Sequence, residues 1–229
     1  MENKFNIIYR KLYKYFGPRG WWPVNGKYHP LDYEIPRNES QRLEICIGAI
    51  LTQNTAWKNV DKVLSNLKRA RVLTIDKLQK IELSELAQLI RPAGYFNEKA
   101  KKIKFFIEFV VNTATTLDKI LSKEKNALRR ELLNIWGIGK ETADSIILYA
   151  GKQNIFVIDS YTKRIFVRHK LINHENLEYD IIRKLIEKNI EDKYQVYNEF
   201  HALIVECGKN FCFRKECLCE HCPLSGVIL

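Results

Sequence analysis

Apolar residues recur at helical spacing along almost the whole of this 229-residue chain. Intervals of three and four residues indicate helices that each bury one face. No alternating pattern of the kind that marks a β-hairpin is present, and the apolar run at residues 155–158 is interpreted as a buried connector. The sequence therefore predicts an all-α fold, with helices at residues 40–51, 56–69, 84–90, 98–112, 116–122, 127–135, 141–150, 160–168, 177–189 and 193–207.

The chain is strongly basic, with 38 Lys and Arg residues against 27 Asp and Glu and a net charge of +11. Such a charge favours a polyanionic partner, because Lys and Arg displace counterions from phosphates. A charge that serves only solubility is the alternative. No apolar run has transmembrane length, and charges interrupt the first 16 residues as no secretory signal would allow. We therefore expect a cytoplasmic monomer with no membrane partner.

Five of the six cysteines lie close together near the end of the chain, whereas Cys46 stands alone in an apolar run and is expected in the core. In a reducing compartment such a cluster favours a metal site over disulfides. Few apolar residues follow Phe213, so a metal or cluster would help the tail to fold. The clustered residues are Cys207, Cys212, Cys217, Cys219 and Cys222.

A Gly-Ile-Gly turn separates two helical patterns between Leu133 and Ala143. Gly137 and Gly139 allow backbone N–H groups to approach a ligand closely, and the start of the second helix carries partial positive charge. Such a helix start can bind an anion such as phosphate. An ordinary helix–helix turn is the alternative.

Four segments in order carry a stronger signal: residues 48–55, residues 91–100, the hairpin, and Asp159 with the cysteine tail. Over residues 20–225 they resemble the endonuclease III superfamily of DNA glycosylases. Trp21-Trp22-Pro23 and residues 48–55 are most similar to its 3-methyladenine DNA glycosylase III branch. The resemblance implies two α-helical lobes flanking a DNA groove. Residues 24–136 would form one lobe, and residues 1–23 with 137–229 would form the other, which carries the hairpin, the catalytic aspartate and an iron–sulfur loop.

The resemblance implies an enzyme that flips a damaged nucleotide out of double-stranded DNA and hydrolyses its base–sugar bond. Asp159 matches the catalytic aspartate of the superfamily. A carboxylate there can stabilise positive charge on the sugar and orient the attacking water. From Asp159 and Ser160 alone, a helix N-cap is the favoured interpretation.

Glu141 stands where strand-nicking relatives carry a lysine that forms a Schiff base with the sugar. A carboxylate cannot do this, and Lys140 is turned about 100° away along the helix. The missing lysine therefore predicts a monofunctional glycosylase that uses water as the nucleophile, with Glu141 in the catalytic site. The resemblance to the 3-methyladenine branch implies an alkylated purine such as 3-methyladenine as the substrate. A role for Glu141 as a simple first-turn helix acid is the alternative. A bifunctional pyrimidine glycosylase and AP lyase, and a non-catalytic DNA-binding module, also remain open.

The resemblance also implies DNA contacts. The hairpin, Lys140 and Thr142 would hold a backbone phosphate. Gln53 would fill the space of the flipped nucleotide, and Tyr95 would act as a wedge between base steps. Local hydrogen bonding by Gln53 and surface packing by Tyr95 are the alternatives. The lysines at 99, 101, 102 and 104 are interpreted as a basic face beside the wedge.

The adjacent indoles of Trp21 and Trp22 are candidates to bind the substrate, because an alkylated adenine carries positive charge that an aromatic face attracts. A position in the core between the lobes is the alternative. The aromatic residue that relatives of this branch place near the start of the 48–55 segment is Leu43 in this sequence.

The run from Cys212 to Cys222 has the spacing C-x6-C-x2-C, which matches the first three ligands of the 4Fe–4S cluster in the superfamily. The fourth ligand is expected at position 228, where this sequence has Ile228. We expect Cys217 to replace it, because Cys207 lies about 140° around a helix from Cys212. A tetrahedral zinc site is the alternative.

Overall fold

The computed structural model describes residues 3–227, and within this range the chain forms twelve α-helices and no β-strand. The predicted all-α fold is therefore confirmed. Two short 3-10 turns, Arg91–Ala93 and Cys219–His221, and one π-helical turn, Ile146–Ala150, complete the structure. The helices are α1 (Lys4–Phe16), α2 (Glu39–Leu51), α3 (Trp57–Arg69), α4 (Ile75–Lys80), α5 (Leu83–Leu89), α6 (Phe96–Asn112), α7 (Leu117–Leu121), α8 (Lys125–Leu133), α9 (Lys140–Ser145), α10 (Ser160–Arg168), α11 (Tyr179–Asn189) and α12 (Tyr194–Asn210).

The chain divides into two compact units. The central unit consists of Trp22–Tyr28 and Glu34–Gln153. The terminal unit consists of the residues up to Trp21, His29–Tyr33, and the residues from Asn154 onward. The boundary expected between residues 136 and 137 differs from this division. The hairpin and α9 lie in the central unit, because α9 and the π-helical turn pack against α2 and α8.

The core of the central unit is built around α2, whose residues from Leu43 to Leu51 are all buried. Helix α6 packs against α2, α4 and α5. Cys46 is completely buried, as the sequence predicted. Gly48 permits close approach of an aromatic ring, because a Cβ at that position would lie 3.1 Å from Nε1 of Trp22.

The terminal unit packs α1 and α10 against α12. Helix α1 buries Phe5, Ile8 and Leu12, and the rings of Phe5 and Phe166 meet edge to face at 5.4 Å. Residues 155–158 are at most 1 % exposed and have no strand pairing, so the buried connector is confirmed. None of the helices within residues 3–227 is long and apolar enough to cross a bilayer.

Two helices are absent from the sequence prediction. Helix α4 begins after the N-cap Thr74, and only two of its six residues, Ile75 and Leu78, are apolar, so its periodic signal is weak. Helix α1 does have apolar residues at helical spacing, and its N-cap Asn3 accepts a hydrogen bond from the backbone N–H of Asn6 at 2.9 Å. The sequence therefore contained both the apolar spacing and the N-cap that indicate helix α1.

Candidate active site and DNA-contacting residues

The Gly-Ile-Gly hairpin connects α8 to α9 in the central unit. Gly137 has a φ angle of +83°, and a Cβ on it would lie 2.4 Å from Cγ of Lys102. Both the backbone conformation and the packing therefore require glycine at this position. Gly139 has open space around it and serves as the N-cap of α9 with an extended backbone. Ile138 between them is 5 % exposed and anchors the turn in the core.

The side-chain amide of Gln53 is hydrogen-bonded to this hairpin. Its Nε2 donates to the carbonyl oxygen of Gly137 at 3.0 Å and to Oγ1 of Thr142 at 3.0 Å. Its Oε1 accepts from Nζ of Lys102 at 2.5 Å. The structure thus joins three of the predicted DNA-contacting residues in one group and adds a lysine that the sequence placed only in a general basic face.

The four lysines at the start of α6 do not form that basic face, and this prediction is wrong. Lys99 is 2 % exposed. Lys101 forms an ion pair with Glu98 at 2.9 Å, and Lys104 donates to backbone carbonyls near the end of α4. Lys102 alone of the four bonds to the side chain of Gln53. A helix rotates about 100° per residue, so neighbours in sequence point in different directions.

The ammonium of Lys99 links three segments of the chain through hydrogen bonds. It donates to the carbonyl oxygens of Leu51 at 2.8 Å and Ala93 at 2.9 Å, and to Oγ1 of Thr55 at 2.5 Å. Burial, with a smaller contribution from the charge of Lys102, lowers the pKa of Lys99 to about 8. Lys99 thereby connects the end of α2, the loop that follows it and the turn before α6.

Tyr95 lies at the turn before α6 and is 76 % exposed. Its φ angle is +45°, next to Gly94 with a φ angle of +65°. An exposed ring on a tightly turned segment meets the steric requirement for a wedge between base steps. The wedge role of Tyr95 stays a prediction.

Asp159 is the N-cap of α10 in the terminal unit, as its position before Ser160 indicated. Its Oδ1 accepts hydrogen bonds from the backbone N–H of Thr162 at 2.7 Å and from the hydroxyl of Thr162 at 2.8 Å. Its Oδ2 lies 3.7 Å from Nε2 of His201. The capping bonds hold one oxygen and leave the other oriented toward the imidazole.

His201 is a residue of this site that the sequence analysis missed. It lies on α12 and is 7 % exposed. Burial lowers the pKa of His201, and Lys209 lowers it further, while Asp159 opposes both effects. The imidazole beside the carboxylate is therefore neutral at neutral pH. No local motif links residues 159 and 201, so only the packing of α10 against α12 reveals the contact.

In the first turn of α9, Glu141 is exposed, Lys140 is half-buried and Thr142 is buried. A buried ion pair anchors the helix: Arg129 on α8 binds Asp144 at 2.6 Å through Nε and at 3.2 Å through Nη2. Breaking a buried pair of this kind is costly, because the remaining charge stays in the core. The start of α9 is thus held rigidly within the central unit.

The two adjacent tryptophans belong to different units. Trp22 is 6 % exposed and packs in the central unit against Trp57 and Tyr149, each at 5.2 Å between ring centroids. This environment is that of a core residue. Trp21 is half-buried in the terminal unit, with Nζ of Lys209 5.8 Å from its ring centroid.

Four of the five tail thiols make close sulfur–sulfur contacts. Sγ of Cys207 is 3.8 Å from Sγ of Cys222, and the sulfurs of Cys217 and Cys219 are 2.9 Å apart. Among residues 3–227 no three His, Cys, Asp or Glu side chains are arranged to bind a metal ion. As arranged, these thiols fit neither a four-sulfur cluster nor a tetrahedral zinc site.

The position expected for the fourth ligand, 228, lies outside the described residues. The sulfur of Cys207, which was expected to point away from the cluster, instead lies 3.8 Å from the sulfur of Cys222. Sγ of Cys212 accepts a hydrogen bond from Nη1 of Arg168 at 3.0 Å, and Nε of Arg164 donates to its carbonyl oxygen at 2.7 Å. These arginines tie the tail to α10, the helix that Asp159 caps.

A family model described as HhH-GPD superfamily base excision DNA repair protein matches residues 47–192. That span includes Gln53, the hairpin and Asp159. The chain belongs to this superfamily. The prediction that it is a DNA N-glycosylase is confirmed with it.

Individual proteins agree with this membership. A Methanocaldococcus jannaschii protein named as a DNA repair glycosylase is 44 % identical over 100 % of this chain and 98 % of its own length. The Helicobacter pylori 3-methyladenine DNA glycosylase, solved with 1,N6-ethenoadenine, is 30 % identical with a TM-score of 0.72, covering 90 % of this chain and 97 % of that one. An endonuclease III–DNA complex shares the fold at 21 % identity, with a TM-score of 0.75 over 100 % of this chain and 96 % of that one.

Proposed function

We propose that this glycosylase acts as a monomer on double-stranded DNA and removes an alkylated purine such as 3-methyladenine by hydrolysis, without cutting the strand. The observation that carries the proposal is the carboxylate of Asp159. Thr162 holds one oxygen at 2.7 and 2.8 Å, while the other faces a neutral imidazole 3.7 Å away. A carboxylate fixed in this way is suited to stabilise the positive sugar that forms as the base departs.

Water serves as the nucleophile in this proposal. A Schiff-base mechanism needs an accessible, uncharged lysine amine. Glu141 stands at the position of that lysine, and Lys99, whose pKa is lowered to about 8, is buried with its ammonium bound to three oxygens. Lys99 therefore cannot act as the nucleophile, despite its lowered pKa.

The preference for an alkylated purine is supported by the 30 % identity with the H. pylori 3-methyladenine DNA glycosylase. In the proposed reaction Trp21, which is half-buried in the terminal unit, is the indole that stacks on the base, whereas Trp22 is a core residue of the central unit. Gln53, Tyr95 and the hairpin with Lys140 and Thr142 contact the DNA. These roles follow the superfamily position by position.

The 4Fe–4S cluster stays a prediction that the thiol geometry does not favour. Iron, sulfide and zinc contents of anaerobically purified protein separate the possibilities. About four iron atoms and four sulfides per chain would support the cluster, and about one zinc would support the tetrahedral site. A protein that contains neither iron nor zinc would agree with the close contacts of Cys207 with Cys222 and of Cys217 with Cys219.

The proposed function is tested by incubating the protein with methylated DNA and measuring both free base and strand breaks. We expect 3-methyladenine to be released, with strand breaks appearing only after hot-alkali treatment. Borohydride present during the reaction should trap no protein–DNA adduct, because no imine forms.

Strand breaks at neutral pH or a trapped adduct would contradict the hydrolytic mechanism and indicate a lyase. Release of no alkylated base would contradict the substrate assignment. A parallel duplex containing 1,N6-ethenoadenine, the base bound by the H. pylori structure, tests a second alkylated purine in the same assay.

A further inference from the structure

The amide of Gln53 is held in one orientation. Its Nε2 has two N–H groups, and the hairpin region accepts both, through the carbonyl of Gly137 and the hydroxyl of Thr142, each at 3.0 Å. Oε1 therefore faces α6, where it accepts from Lys102 at 2.5 Å. Held in this way, the amide offers DNA a hydrogen-bond acceptor but no donor.

The side chain of Lys102 supplies the missing donor at the same place. A Cβ on Gly137 would lie 2.4, 2.8 and 2.9 Å from Cγ, Cδ and Cε of Lys102, so the stem packs directly on the hairpin. This packing directs the ammonium to Oε1 of Gln53. An ammonium carries three N–H donors, and Gln53 takes one of them.

The neighbouring lysines cannot substitute for Lys102. Lys99 is 2 % exposed and is bonded to the end of α2 and to two flanking turns. Lys101 is exposed but is paired with Glu98 at 2.9 Å. Lys102 is thus distinguished from its neighbours by its contact with Gln53 rather than by its charge.

We propose that Lys102 is a DNA-contacting residue that acts with Gln53 as a donor–acceptor pair toward the base left unpaired opposite the flipped nucleotide. The ammonium donates to an acceptor atom of that base while Oε1 accepts from its N–H. Thymine, the partner of adenine, offers carbonyl oxygens beside an N–H and fits this pair. The inference rests on the proposed function, because only base flipping creates an unpaired partner.

The test uses the intact protein and duplexes that contain an uncleavable tetrahydrofuran abasic analogue. The base opposite the analogue is either thymine or 2,4-difluorotoluene, which has the shape of thymine without its strong hydrogen-bonding groups. At fixed salt, wild type and Lys102→Arg should bind the thymine duplex about tenfold more tightly, whereas Lys102→Met should show less than about a threefold preference. Lys101→Met is the matched control and should keep the wild-type preference.

An equal preference in wild type and Lys102→Met would overturn the inference, as would loss of the preference in Lys101→Met. Methionine keeps the unbranched stem that packs on Gly137, and Lys102→Gln gives a second neutral variant if Lys102→Met does not fold. A wild-type protein that binds the abasic duplex no better than an undamaged one would overturn the proposed function as well. Damage-specific binding with the same thymine preference in every variant would overturn the role of Lys102 alone.

Discussion

Asp159→Asn is expected to lower the rate of base excision by at least about 100-fold, because it removes the charge that stabilises the developing positive sugar. The fold should survive the change. Asparagine is as good an N-cap as aspartate, and its carbonyl oxygen can accept the two bonds that Thr162 donates at 2.7 and 2.8 Å. Single-turnover release of alkylated base, measured beside thermal unfolding, separates the two effects.

DNA affinity should change little in Asp159→Asn, because contacts to phosphates dominate the affinity of such proteins and a carboxylate makes none. Asp159→Ala should lose activity to a similar extent and, in addition, lose about 1 kcal/mol of stability with the cap. The difference in stability between the two variants therefore measures the capping role. The loss of excision activity that both variants share measures the catalytic role.

Glu124→Gln is the matched control for removal of a capping charge. Glu124 is the N-cap of α8, where its carboxylate accepts from the backbone N–H groups of Asn126 and Ala127, each at 2.9 Å. These bonds lower the pKa of Glu124, as expected for an ionised cap. The control should retain full excision. Wild-type turnover in Asp159→Asn would contradict the catalytic assignment.

Lys99→Met is expected to destabilise the protein by about 2 to 4 kcal/mol at neutral pH, because it leaves buried carbonyl oxygens without a donor. Those oxygens belong to Leu51 and Ala93, 2.8 and 2.9 Å from the ammonium in the wild type. Methionine keeps the unbranched stem, so the lost hydrogen bonds rather than a cavity account for most of the expected destabilisation. Urea unfolding measures the change, and Lys101→Met, at an exposed site, should stay within about 0.5 kcal/mol of wild type.

The same residue predicts a dependence of stability on pH. The pKa of Lys99 is about 8 in the folded protein against 10.5 for an ordinary lysine. Below pH 8 the amine is charged in both the folded and unfolded states, and the full cost of burying the charge is present. Between the two pKa values the folded state has released its proton while the unfolded chain has not, so the cost falls and stability rises.

Wild type should therefore gain about 2 kcal/mol relative to Lys99→Met between pH 7.5 and 9.5. Taking the difference between the two proteins removes the titration of all other groups, including Tyr9, whose pKa burial raises to about 12. A stability difference that is constant across this pH range would show that the ammonium is not desolvated as its burial indicates.

Much of the fold was predictable from local patterns. Apolar spacing located α2, α3 and α6 to within two residues at each end, since one-sided burial imposes the helical period on the sequence. The cap at Asp159 was predictable for a similar reason, because a capping side chain bonds to a backbone N–H only three residues away. Helix α4 was missed because only two of its six residues, Ile75 and Leu78, are apolar, which leaves a weak periodic signal.

The lysines of α6 show why a run of charge in the sequence does not define a surface. They are neighbours along the chain, yet Lys99 is buried, Lys101 is paired on the surface and Lys102 bonds to Gln53. Their directions follow from helix rotation, but their partners depend on which elements pack against each side of α6.

By itself the sequence determined the helical class and the superfamily, and it predicted Asp159 and Glu141 as the residues that decide the chemistry. Those properties reside in short-range spacing and side-chain type, which the chain carries whether or not it is folded. Tertiary structure alone decided the environments: His201 beside Asp159, Lys102 on Gln53, and Cys207 beside Cys222. These contacts join residues far apart in sequence, and only the packing of whole helices brings them within reach of one another.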